Sequence, residues 1–137
     1  MRFMILVKAT QASEAGQMPE ESLIAAMAAY HEQLARAGVL LDGAGLKPSA
    51  AGWRIRHAGG RRTVTDGPFA QTNELVAGYT LIQVRSREEA MEWARRFPAP
   101  HGETADGEIE VRPLYELEDF APGPAVDRFR ALGMGQR

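Results

Sequence analysis

Two segments of this chain read as strands whose faces are both apolar. In "RFMILVK" (residues 2–8), Phe3, Ile5 and Val7 alternate with Met4 and Leu6. In "VAGYTLIQV" (residues 76–84), Val76, Ile82 and Val84 stand opposite Tyr79 and Leu81. Successive side chains of a strand point to opposite sides of its sheet, so each segment offers apolar surface in both directions. An antiparallel sheet needs only one covered face and normally alternates apolar with polar residues. These two strands therefore belong at the centre of a sheet whose second face is also covered.

The segments around them supply the rest of the pattern. "MPEESLIAAMAAYHEQLARAG" (residues 18–38) predicts a helix: Leu23, Met27, Tyr30 and Leu34 recur at helical spacing. Pro19 suits its first turn, Glu20 and Glu21 favour the positive end of its dipole, and Gly38 is placed to end it. "VLLDGAGLKP" reads as a second strand running into a turn. "WRIRHAGGRRTVT" alternates about Gly59 and Gly60, as a hairpin would, with Trp53 and Ile55 on one arm and Val64 on the other. Ser86 and Glu89 form a capping-box pattern before the stripe Ala90, Trp93, Ala94 and Phe97, and Pro98 and Pro100 stop that second helix. "IEVRPLYEL" is a last strand, and its Pro113 argues for the edge of the sheet.

The order is β-α-β, a hairpin, then β-α-β, which is an α+β class. Two split β-α-β halves make a ferredoxin-like βαββαβ sandwich with an inserted β-hairpin and two helices on one sheet face. A length of 137 residues fits one domain, taken as residues 1–120, with 121–137 as a C-terminal tail that is frayed or laid on a neighbouring subunit. The economical cover for the second face is another copy of the same sheet, so a homodimer closing into a dimeric α+β barrel is expected.

The run "TDGPFAQTNELVAGYTLIQV" resembles the signature of the YCII-related family, whose members with this run are called DGPF-domain proteins. The similarity extends over nearly all of residues 1–120, through "MRFMILVKA", "PEESLIAAMAAYHEQLARAGVLLDGAGLKP", "SREEAMEWARRFP" and "GEIEVRPLYELEDF". It implies a ferredoxin-like subunit in a dimeric α+β barrel with a cleft on the sheet. Family members are in some cases linked to an acid–histidine pair, and some are encoded beside, or fused to, alternative sigma factors. The proposed histidine of short relatives lies in the first helix; His31 stands on that helix but further toward its C-terminus than the family position.

Within this frame Asp66 and His31 are the candidate catalytic pair. Gly67, Pro68 and Phe69 build a rigid corner after Asp66, with Gly67 free to take positive φ and Phe69 able to anchor the turn. A carboxylate held there suits proton transfer, and it equally suits hydrogen bonds within its own turn. His31 lies about 100° round the helix from Tyr30, at the flank of the apolar stripe. An imidazole titrates near neutral pH, and the same place suits a boundary residue. Tyr79 and Arg112 are candidate substrate-binding residues: Tyr79 shares a phase with Leu81, and Arg112 shares one with Glu108 and Glu110. Arginine would pair with a carboxylate or phosphate, or simply guard a sheet edge. Phe69 and Glu74 complete the candidate binding set. His101 is expected at the surface, and His57 in the hairpin has no assigned role.

Several functions are argued against. There is no cysteine, which removes thiolate chemistry and cysteine-bound metal centres. The three histidines lack metal-ligand spacing, and "DGAGL" has too few glycines for a dinucleotide fingerprint, so no metal and no cofactor are expected. Neither G-x-S-x-G nor a P-loop is present. A formal net charge of −2 gives no general attraction to nucleic acid, and "RHAGGRR" reads as a solvated hairpin tip. No run approaches the ~20 apolar residues of a membrane span, and a cytoplasmic location is expected. The functional expectation is a small-molecule-binding protein, and more narrowly a cofactor-independent enzyme of proton transfer or elimination on a small organic acid or ring compound. Its alternative is a non-catalytic sensing or partner-binding module linked to transcription.

Overall fold

A computed structural model describes residues 1–70 and 72–135. The elements run β1 (Arg2–Lys8), α1 (Gln11–Glu14), α2 (Glu21–Arg36), β2 (Leu40–Gly45), β3 (Trp53–Ala58), β4 (Arg61–Asp66), β5 (Val76–Gln83), α3 (Arg87–Arg95), β6 (Ile109–Pro113) and α4 (Pro124–Ala131). Four strands form one antiparallel sheet in the order β2-β5-β1-β6, and β3 pairs with β4 in a separate two-stranded sheet. The two doubly apolar strands are thus central, and the strand that carries Pro113 is at the edge. Each β-α-β half is split by a strand of the other half, which is the ferredoxin-like topology.

The core lies between this sheet and α2 and α3. Phe3, Ile5, Ile82 and Val84 meet Tyr30 and Leu34 of α2 and Ala90 and Trp93 of α3, with Ile5, Leu34 and Ile82 fully buried. Burial of each such aliphatic side chain contributes about 1.5–3 kcal/mol. The Tyr30 hydroxyl donates to the Trp93 carbonyl at 2.7 Å, joining the two helices inside the core. Burial pushes that phenol up to about 12, partly opposed by the positive charge of Arg96.

The helix ends show how local chemistry sets these elements. Past α2, Gly38 takes φ +74°; its N–H reaches the Ala35 carbonyl and the Val39 N–H reaches that of Leu34, each at 3.0 Å. This double bond pattern closes the helix and turns buried Val39 into the core. The start of α2 differs from expectation: Glu20 is the residue that flanks it, so Pro19 lies just outside the first turn. Before α3, the Ser86 hydroxyl accepts from the Glu89 N–H at 3.1 Å, while the Glu89 carboxylate reaches the Arg85 N–H at 3.0 Å instead of closing the box on Ser86.

Two short helices complete the chain. The polar stretch after β1 contains α1, capped reciprocally by Thr10 and Ser13. The C-terminal segment forms α4 and returns toward Leu117 of its own chain. Phe129, Leu132 and Met134 of this segment remain exposed.

Candidate functional site

The DGPF corner is held by a close approach. Gly67 has no positive φ, contrary to expectation. A Cβ at Gly67 would lie 1.9 Å from the Ser49 carbonyl oxygen, so only glycine lets the two backbones touch. The Gly67–Pro68 peptide is cis. The Gly67 N–H donates to the Gly52 carbonyl at 3.0 Å. Ser49 organises the remainder: its N–H donates to Glu14 Oε1 at 2.9 Å, its hydroxyl bonds Glu14 Oε2, and its Oγ accepts from the Phe69 N–H at 3.0 Å. The Phe69 ring carries the Arg54 guanidinium 3.8 Å from its centroid. Phe69 is half-buried beneath that cation, and Asp66 is exposed at the end of β4. The Asp66 carboxylate makes no hydrogen bond or ion pair among the described residues. Exposed Glu74 follows in a short 3-10 turn, Thr72–Glu74.

His31 sits on the helix side of the sheet. Its Nδ1 lies 2.7 Å from the Met27 carbonyl, so that nitrogen carries the hydrogen, and its Nε2 lies 2.8 Å from the hydroxyl of buried Thr80. The ring meets Tyr30 and Phe97 edge-on, and Gly43 leaves room for it against β2. Both nitrogens are thus engaged within the core layer, and no hydrogen bond joins His31 to Asp66. The reason is the stripe itself: once Tyr30 packs on Trp93 and Phe97, the next side chain round the helix falls over β5. His101 also differs from a free surface residue, because its Nε2 lies 2.8 Å from the Lys8 carbonyl and pins the α3–β6 loop to β1.

The residues that do share a surface are those on the sheet face turned away from the helices. Strand register sets two rows across it. One runs Asp42, Leu81, Met4, Arg112 and the next runs Ala44, Tyr79, Leu6, Glu110. Leu81 at 8% exposure, with half-buried Met4 and Leu6, makes an apolar floor. The Tyr79 hydroxyl donates to Asp42 Oδ2 at 3.2 Å, and Asp42 Oδ1 accepts from the Gly43 N–H at 2.8 Å. The carboxylate is therefore oriented from both oxygens. That hydrogen bond, reinforced by the negative charge of Asp42, raises the Tyr79 phenol above its ordinary value, so Tyr79 is a proton donor at neutral pH. At the other side Glu110 lies 3.8 Å from the Lys8 ammonium and 3.9 Å from the Arg112 guanidinium, loose contacts that leave Arg112 largely exposed. An anion entering here would compete with Glu110 for both cations.

Tyr79 and Arg112 thus occupy the face expected for them, whereas Phe69, Glu74 and Asp66 belong to the corner, and His31 lies behind the sheet. Asp42 was not anticipated. Its signal was present: aspartate is depleted in strands, and here it interrupts the apolar run "VLLDGAG".

An antiparallel sheet in this order, with helices on one side and a mixed apolar and ionisable surface on the other, defines a ferredoxin-like α+β protein. The chain belongs to the YCII-related domain family, whose profile matches residues 1–118. A relative from Rhizobium meliloti (strain 1021), the uncharacterized protein R00369, is 37% identical over 95 residues, covering 69% of this chain and 75% of its own length. Among solved structures, 5-chloro-2-hydroxyhydroquinone dehydrochlorinase (TftG) from Burkholderia phenoliruptrix AC1100, in complex with 2,5-dihydroxybenzoquinone, aligns with 85% of this chain and 95% of its own, at 16% identity and a TM-score of 0.40. Among the described residues no helix is long and apolar enough to cross a membrane, and no group of three or more acidic, histidine or cysteine residues is arranged to hold a metal ion.

Proposed function

We propose that this protein binds a small organic acid or hydroxylated ring compound on the second face of its sheet, and that it moves a proton on that molecule without a cofactor. The observation that carries the reading is the Tyr79–Asp42 pair at 3.2 Å, set beside an apolar floor with Arg112 across it on the opposite edge strand. A flat ligand would lie on Met4, Leu6 and Leu81 while Arg112 and Lys8 meet its negative charge. A ligand carbonyl or phenol oxygen takes the Tyr79 hydrogen bond, which frees the Asp42 carboxylate. Asp42 then accepts the proton from an acidic C–H or O–H of the ligand, and the developing oxyanion is held by Tyr79 and Arg112. In an elimination the electron pair left by that proton would expel the leaving group from the adjacent carbon. Two copies packed through these faces enclose the site and exclude water, which strengthens each of these interactions. The dimer reading fails if light scattering gives a monomer at micromolar concentration.

A thermal-shift screen of small carboxylates, phenols and lactones on wild type, Asp42→Asn, Arg112→Ala and Asp66→Asn tests the site. Ligand at about a hundred times its dissociation constant adds roughly 2.7 kcal/mol. The expected pattern is stabilisation of wild type and Asp66→Asn, with loss in Asp42→Asn and Arg112→Ala. Loss in Asp66→Asn alone would move the site to the DGPF corner and overturn the reading. A hit retained by Asp42→Asn, with no turnover in wild type, would make the protein a binding module.

A further inference from the structure

The sheet face turned away from the helices carries the polar groups of its two rows at either side, with only apolar side chains between them. Asp42 on β2 and Arg112 on β6 end one row, and Leu81 and Met4 lie between. In the neighbouring row Leu6 alone separates Tyr79 from Glu110. The Tyr79 hydroxyl turns back to Asp42, so that pair stands over β2 and β5. Lys8, Glu110 and Arg112 form the second group, over β1 and β6.

This second group is short of negative charge. Glu110 is a single carboxylate between two cations, 3.8 Å from the Lys8 ammonium and 3.9 Å from the Arg112 guanidinium. Among the described residues no other carboxylate lies within 4.0 Å of either cation, which leaves one positive charge in surplus. Lys8 is the more telling of the two. Only 18% of its side chain is exposed, yet its ammonium, with three hydrogens to donate, makes no hydrogen bond among the described residues. A sheltered charge is costly unless it is paired and hydrogen-bonded, so Lys8 is set for an anion from outside the chain.

We infer that the ligand is a hydroxyaryl carboxylic acid whose two groups stand at opposite ends of the ring: the carboxylate on Lys8 and Arg112, the ring on Met4 and Leu6, and the hydroxyl on Tyr79. The inference rests on the sheet-face reading above and narrows it. Tyr79 on β5 and Arg112 on β6 lie two strand intervals apart, roughly 10 Å at the backbone. Side chains reach inward from both sides, and one ring fills the remaining gap. A carboxylate on the ring atom next to the hydroxyl reaches one side only. A monoanion cancels the single surplus charge, whereas a phosphate dianion would leave the group negative beside Glu110, so the charge count selects a carboxylate.

Isothermal titration calorimetry of the full chain tests this with para-hydroxybenzoate, ortho-hydroxybenzoate, para-hydroxybenzyl alcohol and para-hydroxyphenyl phosphate. The para acid is expected to bind wild type about tenfold more tightly than each of the others, since only it satisfies both sides. Lys8→Met, which keeps the apolar stem, and Arg112→Gln should each remove most of that preference while binding the alcohol as wild type does, and Lys8→Arg should restore it. Circular dichroism and urea midpoints confirm that the variants are folded; Arg112→Gln, at an exposed position, carries the test if Lys8→Met does not fold. Equal affinity for the para acid and the alcohol, with both lost in Asp42→Asn, would refute the carboxylate and leave the sheet-face reading standing. Tighter binding of the ortho acid would overturn the opposite-ends geometry, and tighter binding of the phosphate would overturn the charge count. A Lys8→Met protein that binds all four compounds equally weakly would make Lys8 a structural support and refute its selective role. Silence from all four compounds, where the wider screen yields hits lost in Asp42→Asn, would refute the inference alone; without such hits the reading and the inference fail together.

Discussion

Replacing Gly67 by alanine puts one methyl group against the least yielding part of the molecule. The new Cβ would lie 1.9 Å from the Ser49 carbonyl oxygen and 2.6 Å from its carbon, so backbone must move. Movement of Ser49 adds to the cost of the clash, since its N–H and hydroxyl hold Glu14 and its Oγ receives the Phe69 N–H. Overpacking of this kind costs about 1–3 kcal/mol, and a strained bond to a charged group adds about 1.5 kcal/mol. Gly67→Ala should therefore lose about 2.5–4.5 kcal/mol in urea unfolding at fixed protein concentration, or roughly 9–16 °C in Tm for a chain of this size. Gly52→Ala is the matched control. Its Cβ would sit 3.7 Å from the same Ser49 carbonyl, an ordinary contact, and Gly52 has a φ of −114° open to any residue. Equal losses in the two variants, or a Gly67→Ala protein within 0.5 kcal/mol of wild type by the same assay, would refute the close-approach account.

Tyr30→Phe should cost about 1–3 kcal/mol, because it leaves the Trp93 carbonyl without its partner in the core; unchanged urea midpoints would contradict this. The same tyrosine sets an alkaline limit. Its folded value near 12 exceeds the ordinary 10, so its contribution is fully present below about pH 10 and is lost as pH rises toward 12. Each unit of that difference is worth about 1.4 kcal/mol, and Tyr30→Phe should flatten the fall in stability over that window. Asp42→Asn should lower the Tyr79 titration midpoint followed by phenolate absorbance, because it removes the charge that holds the phenol protonated; a midpoint unmoved from wild type would dissolve the pair. Leu34→Ala should lose about 2–5 kcal/mol as a fully buried truncation, a loss that calorimetry would register.

Much of the fold could be read from alternation and spacing. Phe3, Ile5 and Val7 against Met4 and Leu6 marked β1 as central, and Pro113 marked β6 as an edge. The phase of Arg112 with Glu110 placed both on the face where they are found. Periodicity reports which way a side chain points, so such statements survive folding. It does not report which distant atoms meet. Nothing near Gly67 announces that the Ser49 carbonyl will rest against it, and so the glycine suggested unusual φ where contact distance was the cause. His31 was legible as a flank residue, but its bonds to Met27 and Thr80 depend on how α2 lies over β5. The Asp42–Tyr79 bond needs the register of β2 against β5, which shifts between Leu40 and Asp42 and moves every later pairing by one residue.

The 3.0 Å bond from the Gly67 N–H to the Gly52 carbonyl and the pairing of Trp53 with Asp66 bring the chain back to where it left. Between those points the β3–β4 arm is a detour with a closed base. Adding or deleting one residue from each strand would move its tip by about 3.4 Å while leaving β2 and β5 in register. Arm length can thus vary among related chains independently of the sheet, and with it how far the exposed tip stands from the core.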